Sequence, residues 1–144
     1  MTAEMTNIAY GLLAKREHSA AELRNKLKQK EFAEDEIELL LKKLQQANLQ
    51  SDSRYAESLI RSRVNRGYGP RYIEQELFHK GVCSDTASAV LKEMAIDWFD
   101  VANDSYQKKY RLKPIHDDKE KAKRMRFLQY RGFSFDHIMT LIND

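Results

Sequence analysis

Three stretches of this chain lie over one another in a single register, and that repeat limits the fold more than any other feature. They are residues 19–44, 69–94 and 121–144. Leu27, Leu77 and Leu128 correspond. So do Phe32, Val82 and Phe133, then Ile37, Ala87 and Ile138, then Leu41, Leu91 and Ile142. No gap interrupts the aligned stretches. Self-similarity at a period of about fifty residues marks a repeat architecture. One such unit would be marginal alone, because so short a chain buries too little apolar surface. With only two prolines and five glycines, the 144 residues leave little punctuation for a many-turned β fold. The expected fold is all-α, with no strand. It consists of three tandem three-helix repeats over residues 1–50, 51–94 and 95–144, about nine helices forming an elongated or curved array of helix-turn-helix-like units.

Local signals place the helices. In the first repeat, a helix over residues 8–16 precedes one over 19–30. Ser19 and Glu22 form a capping box, in which the hydroxyl accepts from the third helical N–H and the carboxylate returns to the cap. A third helix follows from about Ala33 to Gln46, with Ile37, Leu40, Leu41 and Leu44 at helical spacing. The second repeat opens near Asp52, capped by Ser51 or Asp52. Gly67 supplies a positive φ at a helix end, and Pro70 suits the first position of the next helix, where a missing N–H costs nothing. Ile73 and Leu77 face inward, and Lys80-Gly81-Val82 makes the next turn. The third repeat starts with a helix over about residues 95–110. A polar connection over 111–118 follows, then a helix from Lys119, and Arg131-Gly132-Phe133 repeats the turn.

Several kinds of chemistry have no residues to support them. The lone cysteine, Cys83, rules out an intramolecular disulfide and a cysteine-based metal cluster, and is expected to be a buried or half-buried thiol. None of His18, His79, His116 and His137 is spaced as a helical metal ligand, and His116-Asp117-Asp118 reads as a solvated linker. The Arg66-Gly67-Tyr68-Gly69-Pro70 run lacks the glycine spacing, lysine and preceding strand of a phosphate loop. The expected catalytic, cofactor and metal sites are therefore none. The N-terminus has no signal-peptide pattern, and no apolar run approaches the roughly 20 residues that span a bilayer. The expected location is the cytoplasm.

What remains is charge. The net charge of +3 is small, so its distribution matters more than its total. Residues 1–50 hold equal numbers of acids and bases. The excess lies later, in Arg54, Arg61, Arg63, Arg66 and Arg71, and in Lys119, Lys121, Lys123, Arg124, Arg126 and Arg131. At about 100° per residue, Arg54 and Arg61 fall opposite Tyr55, Leu59 and Ile60 and should face solvent. Arg63 falls near the apolar stripe, so it pairs with an acid or lays its stem over the core. Lys119, Lys123, Arg126 and Tyr130 follow i, i+4, i+7, i+11, a basic stripe ending in an aromatic, opposite Met125 and Leu128. Such a stripe suits phosphate contacts with one stacking platform. It equally describes a solvated helix face, and an acidic protein groove would select the same residues.

The segment SRVNRGYGPRYIEQELFHKGV resembles the signature of the RecX family, the bacterial regulators of the RecA recombinase. LQSDSRYAESLI, AIDWFDVA and KAKRMRFLQYRGFSFDHI resemble the family's flanking elements. The likeness runs from about Ile8 onward, and the middle motif is its specific part. Arg63, Gly67, Gly69, Pro70, Ile73, Leu77, Gly81, Gly132 and Phe133 are the structural signature positions. Two departures stand out: after Leu49 the chain has Gln50-Ser51-Asp52 where the family often has two acids, and the first helix has no long basic extension before it. The resemblance implies a non-enzymatic monomer. It would bind RecA and its filament on DNA, lie in the filament groove, and suppress strand exchange, ATP hydrolysis and co-protease activity, with weak non-specific DNA binding. The expected contacts are Arg54, Arg61, Arg66, Arg71, Lys119, Lys123, Arg126 and Tyr130. Two rival readings are a helix-turn-helix DNA-binding protein and an adaptor for another acidic partner. The third helices, AEDEIELLLKKL and CSDTASAVLKEM, are acidic or small where a recognition helix needs Arg, Asn or Gln.

Overall fold

The computed structural model describes residues 3–143. Among them are nine helices and no strand: α1 (Ala3–Lys15), α2 (Ala20–Gln29), α3 (Glu34–Gln46), α4 (Asp52–Asn65), α5 (Pro70–His79), α6 (Ser84–Met94), α7 (Trp98–Tyr110), α8 (Asp118–Tyr130) and α9 (Phe135–Ile142). The all-α expectation holds. Most of the repeat's shared register is buried, Phe32 and Leu91 being half-buried. Leu27, Leu77 and Leu128 are each 0% exposed, and Val82, Phe133, Ile37, Ala87 and Ile138 are buried. Burying one such leucine stabilises a fold by about 1.5–3 kcal/mol.

By compactness the chain falls into two units. One runs to Ser58 and takes in Leu77–Val90; the other is Leu59–Glu76 together with the chain from Leu91 onward. The residues of the middle repeat are thus shared between the two. In the first unit, Met5 and Ala9 of α1, Leu23 and Leu27 of α2, and Ile37, Leu40, Leu41 and Leu44 of α3 form a core. In the second, Ala102, Tyr106 and Tyr110 of α7 pack with Leu128, Phe133, Ile138 and Ile142.

The helix boundaries correct the sequence reading in two places. The first helix begins at Ala3 rather than Ile8, because Met5, Ile8, Ala9 and Leu12 continue one apolar stripe at helical spacing. The seventh begins at Trp98 rather than Ala95. Ala95 has φ 48°, outside helical backbone, and the Asp97 carboxylate accepts from the Asp100 N–H at 3.2 Å. The Ser19–Glu22 capping box forms in both directions, at 3.1 Å each. Ser51, not Asp52, caps α4, accepting from Arg54 N at 3.2 Å. Asp52 instead accepts from Ala20 N at 2.9 Å and from the Gln50 amide at 3.0 Å, tying α4 to the start of α2.

Gly67 takes φ 86° at the end of α4, and Pro70 is the first residue of α5. The glycines have a further role. Gly69 N donates to Arg131 O at 2.7 Å, and Arg71 N donates to Gly132 O at 3.0 Å. The Gly-x-Gly-Pro turn and the Arg-Gly-Phe turn therefore meet backbone to backbone within the second unit. A Cβ on Gly69 would lie 2.7 Å from Gly132 C. One on Gly132, where φ is 96°, would meet the Tyr72 backbone N and lie 2.6 Å from Tyr72 Cβ. Glycine is needed because two main chains touch.

Candidate functional site

The two basic groups differ in how much of their charge is committed inside the protein. In the first, Arg54 does not stand free in solvent as its helical position predicts. Its Nε donates to Glu17 Oε2 at 2.9 Å, which ties the start of α4 to the α1–α2 connection. Helical periodicity gives the face a side chain leaves from, but not what another segment brings to meet it. Arg63 forms a two-pronged pair with Glu76, at 2.7 and 2.6 Å, with both side chains mostly buried. That geometry is the strong form of a carboxylate–guanidinium pair. Arg61, Arg66 and Arg71 are exposed. The backbone carbonyl of Arg66 accepts from Arg131 Nη1 at 2.7 Å.

The second group centres on α8. Lys119, Lys123, Arg126 and Tyr130 are all exposed, Tyr130 by 77%. The three cations line one cleft of about 500 Å³, with Lys113, His116, Asp117 and Glu120 also lining it. Tyr130 is not among its lining residues. Arg124 does not belong with this surface charge, although the sequence places it in the cluster. It is only 3% exposed. Its Nε donates to Glu120 at 3.0 Å, Nη1 donates to Tyr106 Oη and to Lys113 O at 2.9 Å each, and its guanidinium lies 4.5 Å from the Tyr110 ring centre. Burial works against its charge, but the hydrogen bonds to Tyr106 and Glu120 outweigh that and raise its pKa. Arg124 thus anchors the 111–117 connection onto α7 and α8. The signal for it was available: Arg124 lies four residues before Leu128, on the buried stripe.

The remaining candidates resolve simply. Asp117 caps α8 through Glu120 N at 2.7 Å, so the His116-Asp117-Asp118 cluster starts a helix. No group of three potential metal ligands exists among the described residues. Cys83 is exposed, not buried or half-buried as expected; it sits just before α6, with Thr86 Oγ1 3.1 Å from its sulfur. The hydrogen bond to Thr86 holds its thiol below the ordinary value. No described helix is long and apolar enough to cross a membrane. The sequence reading also passed over Lys108 and Lys109, which line a second cleft in the second unit, with Arg66 and Arg131.

Comparison with known proteins fixes the family. The models of the first, second and third RecX three-helix domains match residues 6–44, 51–91 and 96–142. This chain belongs to the RecX family. A protein named regulatory protein RecX from Pseudomonas putida (strain W619) is 40% identical over 135 residues, which is 94% of this chain and 86% of that one. The RecX regulatory protein of Vibrio parahaemolyticus is 41% identical over 130 residues, covering 90% and 84%. The crystal structure of RecX from Lactobacillus salivarius superposes with a TM-score of 0.80 at 25% identity, covering 98% of this chain and 94% of that one. The Pseudomonas and Vibrio relatives are named as regulatory proteins.

Proposed function

We propose that this RecX-family chain regulates the RecA recombinase, binding RecA and its filament on DNA and lying in the filament groove. In that position it lowers strand exchange, ATP hydrolysis and co-protease activity. The observation that carries the reading is family membership along nearly the whole chain, to which α8 adds an exposed basic stripe. We also place the repeat boundaries after residues 50 and 94, and the protein in the cytoplasm as a monomer that needs no cofactor. Successive repeats each making a modest contact recognise an assembled filament in preference to a free subunit, through effective concentration. A ligand that prefers one filament state shifts the population by its difference in affinity.

The filament-facing residues in this reading are Lys119, Lys123, Arg126 and Tyr130, with Arg61, Arg66 and Arg71. Arg54 is the weakest member, since it already neutralises Glu17. The reading of a helix-turn-helix duplex binder is disfavoured by α3, whose first turn is Glu34, Asp35 and Glu36. Carboxylates there would face phosphates. The test is RecA ATPase on single-stranded DNA with substoichiometric amounts of this protein. Inhibition by far less than one copy per RecA supports the proposal. An ATPase rate unchanged at equimolar protein refutes it.

A further inference from the structure

The cleft of about 500 Å³ that holds Lys108 and Lys109 is separate in its residues from the α8 stripe. Three helix ends form it. Arg66 lies just beyond α4, Lys108 and Lys109 lie in the last turn of α7, and Arg131 is the C-cap of α8. Each cation has a local reason to be there, since a helix C-terminus favours positive charge. Local reasons do not explain their meeting. Four cations share this cleft with one carboxylate, Asp104, and among the described residues none of them forms an ion pair. The helix ends supply about half a negative charge each, so a positive surplus remains after these and Asp104 are counted. The cleft therefore selects an anion.

The aromatic rings decide which kind. Lys109 Nζ lies 4.7 Å from the centre of the Phe127 ring, and the Arg131 guanidinium lies 5.2 Å from it. Arg131 also covers the Tyr68 ring at 4.7 Å. A nucleobase stacking on Phe127, the ring that lines the cleft, would have to displace a cation from it. A carboxylate meets the N–H groups of those cations without moving them. Val64 and Val101 line the cleft beside the half-buried Phe127, together with the polar Asn65 and Ser105.

We propose that this cleft is a docking site for an acidic peptide segment of a protein partner. Its carboxylates lie against Arg66, Lys108, Lys109 and Arg131, with an aliphatic side chain against Val101 and Phe127. The site goes beyond the α8 stripe, and it stands whether or not the partner is RecA. Binding of a labelled peptide of alternating glutamate and leucine, and of a labelled oligothymidylate, is followed by fluorescence anisotropy on the full chain. The expected result is that Lys108→Ala/Lys109→Ala weakens the peptide about tenfold or more. The Lys119→Ala/Lys123→Ala/Arg126→Ala variant holds it within about twofold, since those groups lie outside the cleft. Circular dichroism of both variants confirms unchanged helix content. Peptide affinity unaffected by the Lys108/Lys109 change overturns the proposal, as does equal binding of a peptide with glutamine in place of glutamate. If the oligothymidylate alone loses affinity in that variant, the cleft serves nucleic-acid phosphates and the peptide assignment fails.

Discussion

The two compact units are built from similar helices but handle charge in opposite ways. The first holds ten basic and eleven acidic residues, a net of −1; the second holds fifteen and eleven, a net of +4. In the first unit, Arg16 meets Glu22, Arg24 meets Glu38, Lys28 meets Glu34 and Arg54 meets Glu17. These four and Lys80, half of its cations, meet carboxylates within the unit. In the second, Arg63 and Arg124 are paired and mostly buried. Arg66, Arg71, Lys108, Lys109, Lys119, Lys123 and Arg126 meet no carboxylate at ion-pair distance among the described residues. A single fold can therefore make one part self-neutral and leave another open to anionic partners. The total of +3 conceals this difference.

The largest effects should come from glycine, because Gly132 of the second unit and Gly11 of the first have opposite surroundings. Gly132→Ala drives a Cβ into the Tyr72 backbone at a positive φ. It should cost the second unit about 3 kcal/mol or more, read as a fall in the denaturation midpoint. Gly11 lies within α1 and an added Cβ there meets nothing within 4 Å. Gly11→Ala should instead stabilise the chain by about 0.5–1 kcal/mol. A loss at Gly11, or a neutral Gly132→Ala, would contradict the close-approach account.

Next in size is the buried cation of the second unit. Arg124→Met removes the donor shared by Tyr106, Glu120 and Lys113 O. Leaving these groups without their partner should cost about 2–4 kcal/mol. Hydrogen exchange should show the 111–117 connection opening first. Unchanged protection there would mean that Arg124 does not anchor it.

The first unit carries the pH dependence. His18 is 2% exposed, and its partners fix its tautomer. Arg16 O, at 3.1 Å, can only accept, so Nδ1 donates; the Lys26 ammonium, at 3.2 Å, can only donate, so Nε2 accepts. Burial holds its pKa below the ordinary 6.5, with the charges of Arg16 and Lys26 adding to that effect. As pH falls below that value, the unfolded chain gains a proton that folded His18 resists, so stability declines. Above it the contribution is constant. Burial would raise the Glu22 carboxyl, but hydrogen bonds from Arg16 and Ser19 N more than offset this and hold it low. Its contribution is present above the ordinary carboxyl range and is lost as pH falls through that lowered value. Melting temperatures should fall as pH drops below about 6.5, and His18→Gln should flatten that first decline. A decline that persists unchanged in the variant would assign it to another group.

The smallest effects should come from surface charge. Arg24→Ala, which breaks an exposed pair with Glu38, should cost about 0.5 kcal/mol and less at high salt. The Lys119→Ala/Lys123→Ala/Arg126→Ala variant should leave the melting temperature nearly unchanged while weakening attachment to RecA filaments on DNA. Stability lost with binding retained would show that the stripe is structural.

Much of the fold is legible from local pattern. Ser19 and Glu22 stand at capping spacing, Ile37, Leu40, Leu41 and Leu44 at helical spacing, and Gly67 and Pro70 at a helix end and start. Each of these depends on neighbours within a few residues. Arg63 was also placed by its angle on the helix, though not its partner Glu76. Arg54 and Arg124 mark where such reasoning stops, since the partners that hold them lie on other segments. Cys83 was misplaced for a similar reason: its hydrophobic character outweighed a helix-end position that only the fold exposes.

By itself the sequence determined the approximate places of the helices, the Ser19–Glu22 cap, most of the buried register of the repeat and the family, because each is written in spacing along one chain. Only the tertiary structure decided which cations are spent and which are left over. It also brought the glycines of two distant turns into backbone contact and gathered the cations of three helix ends around one cleft. Those outcomes depend on distances between segments far apart in the chain, which periodicity does not encode.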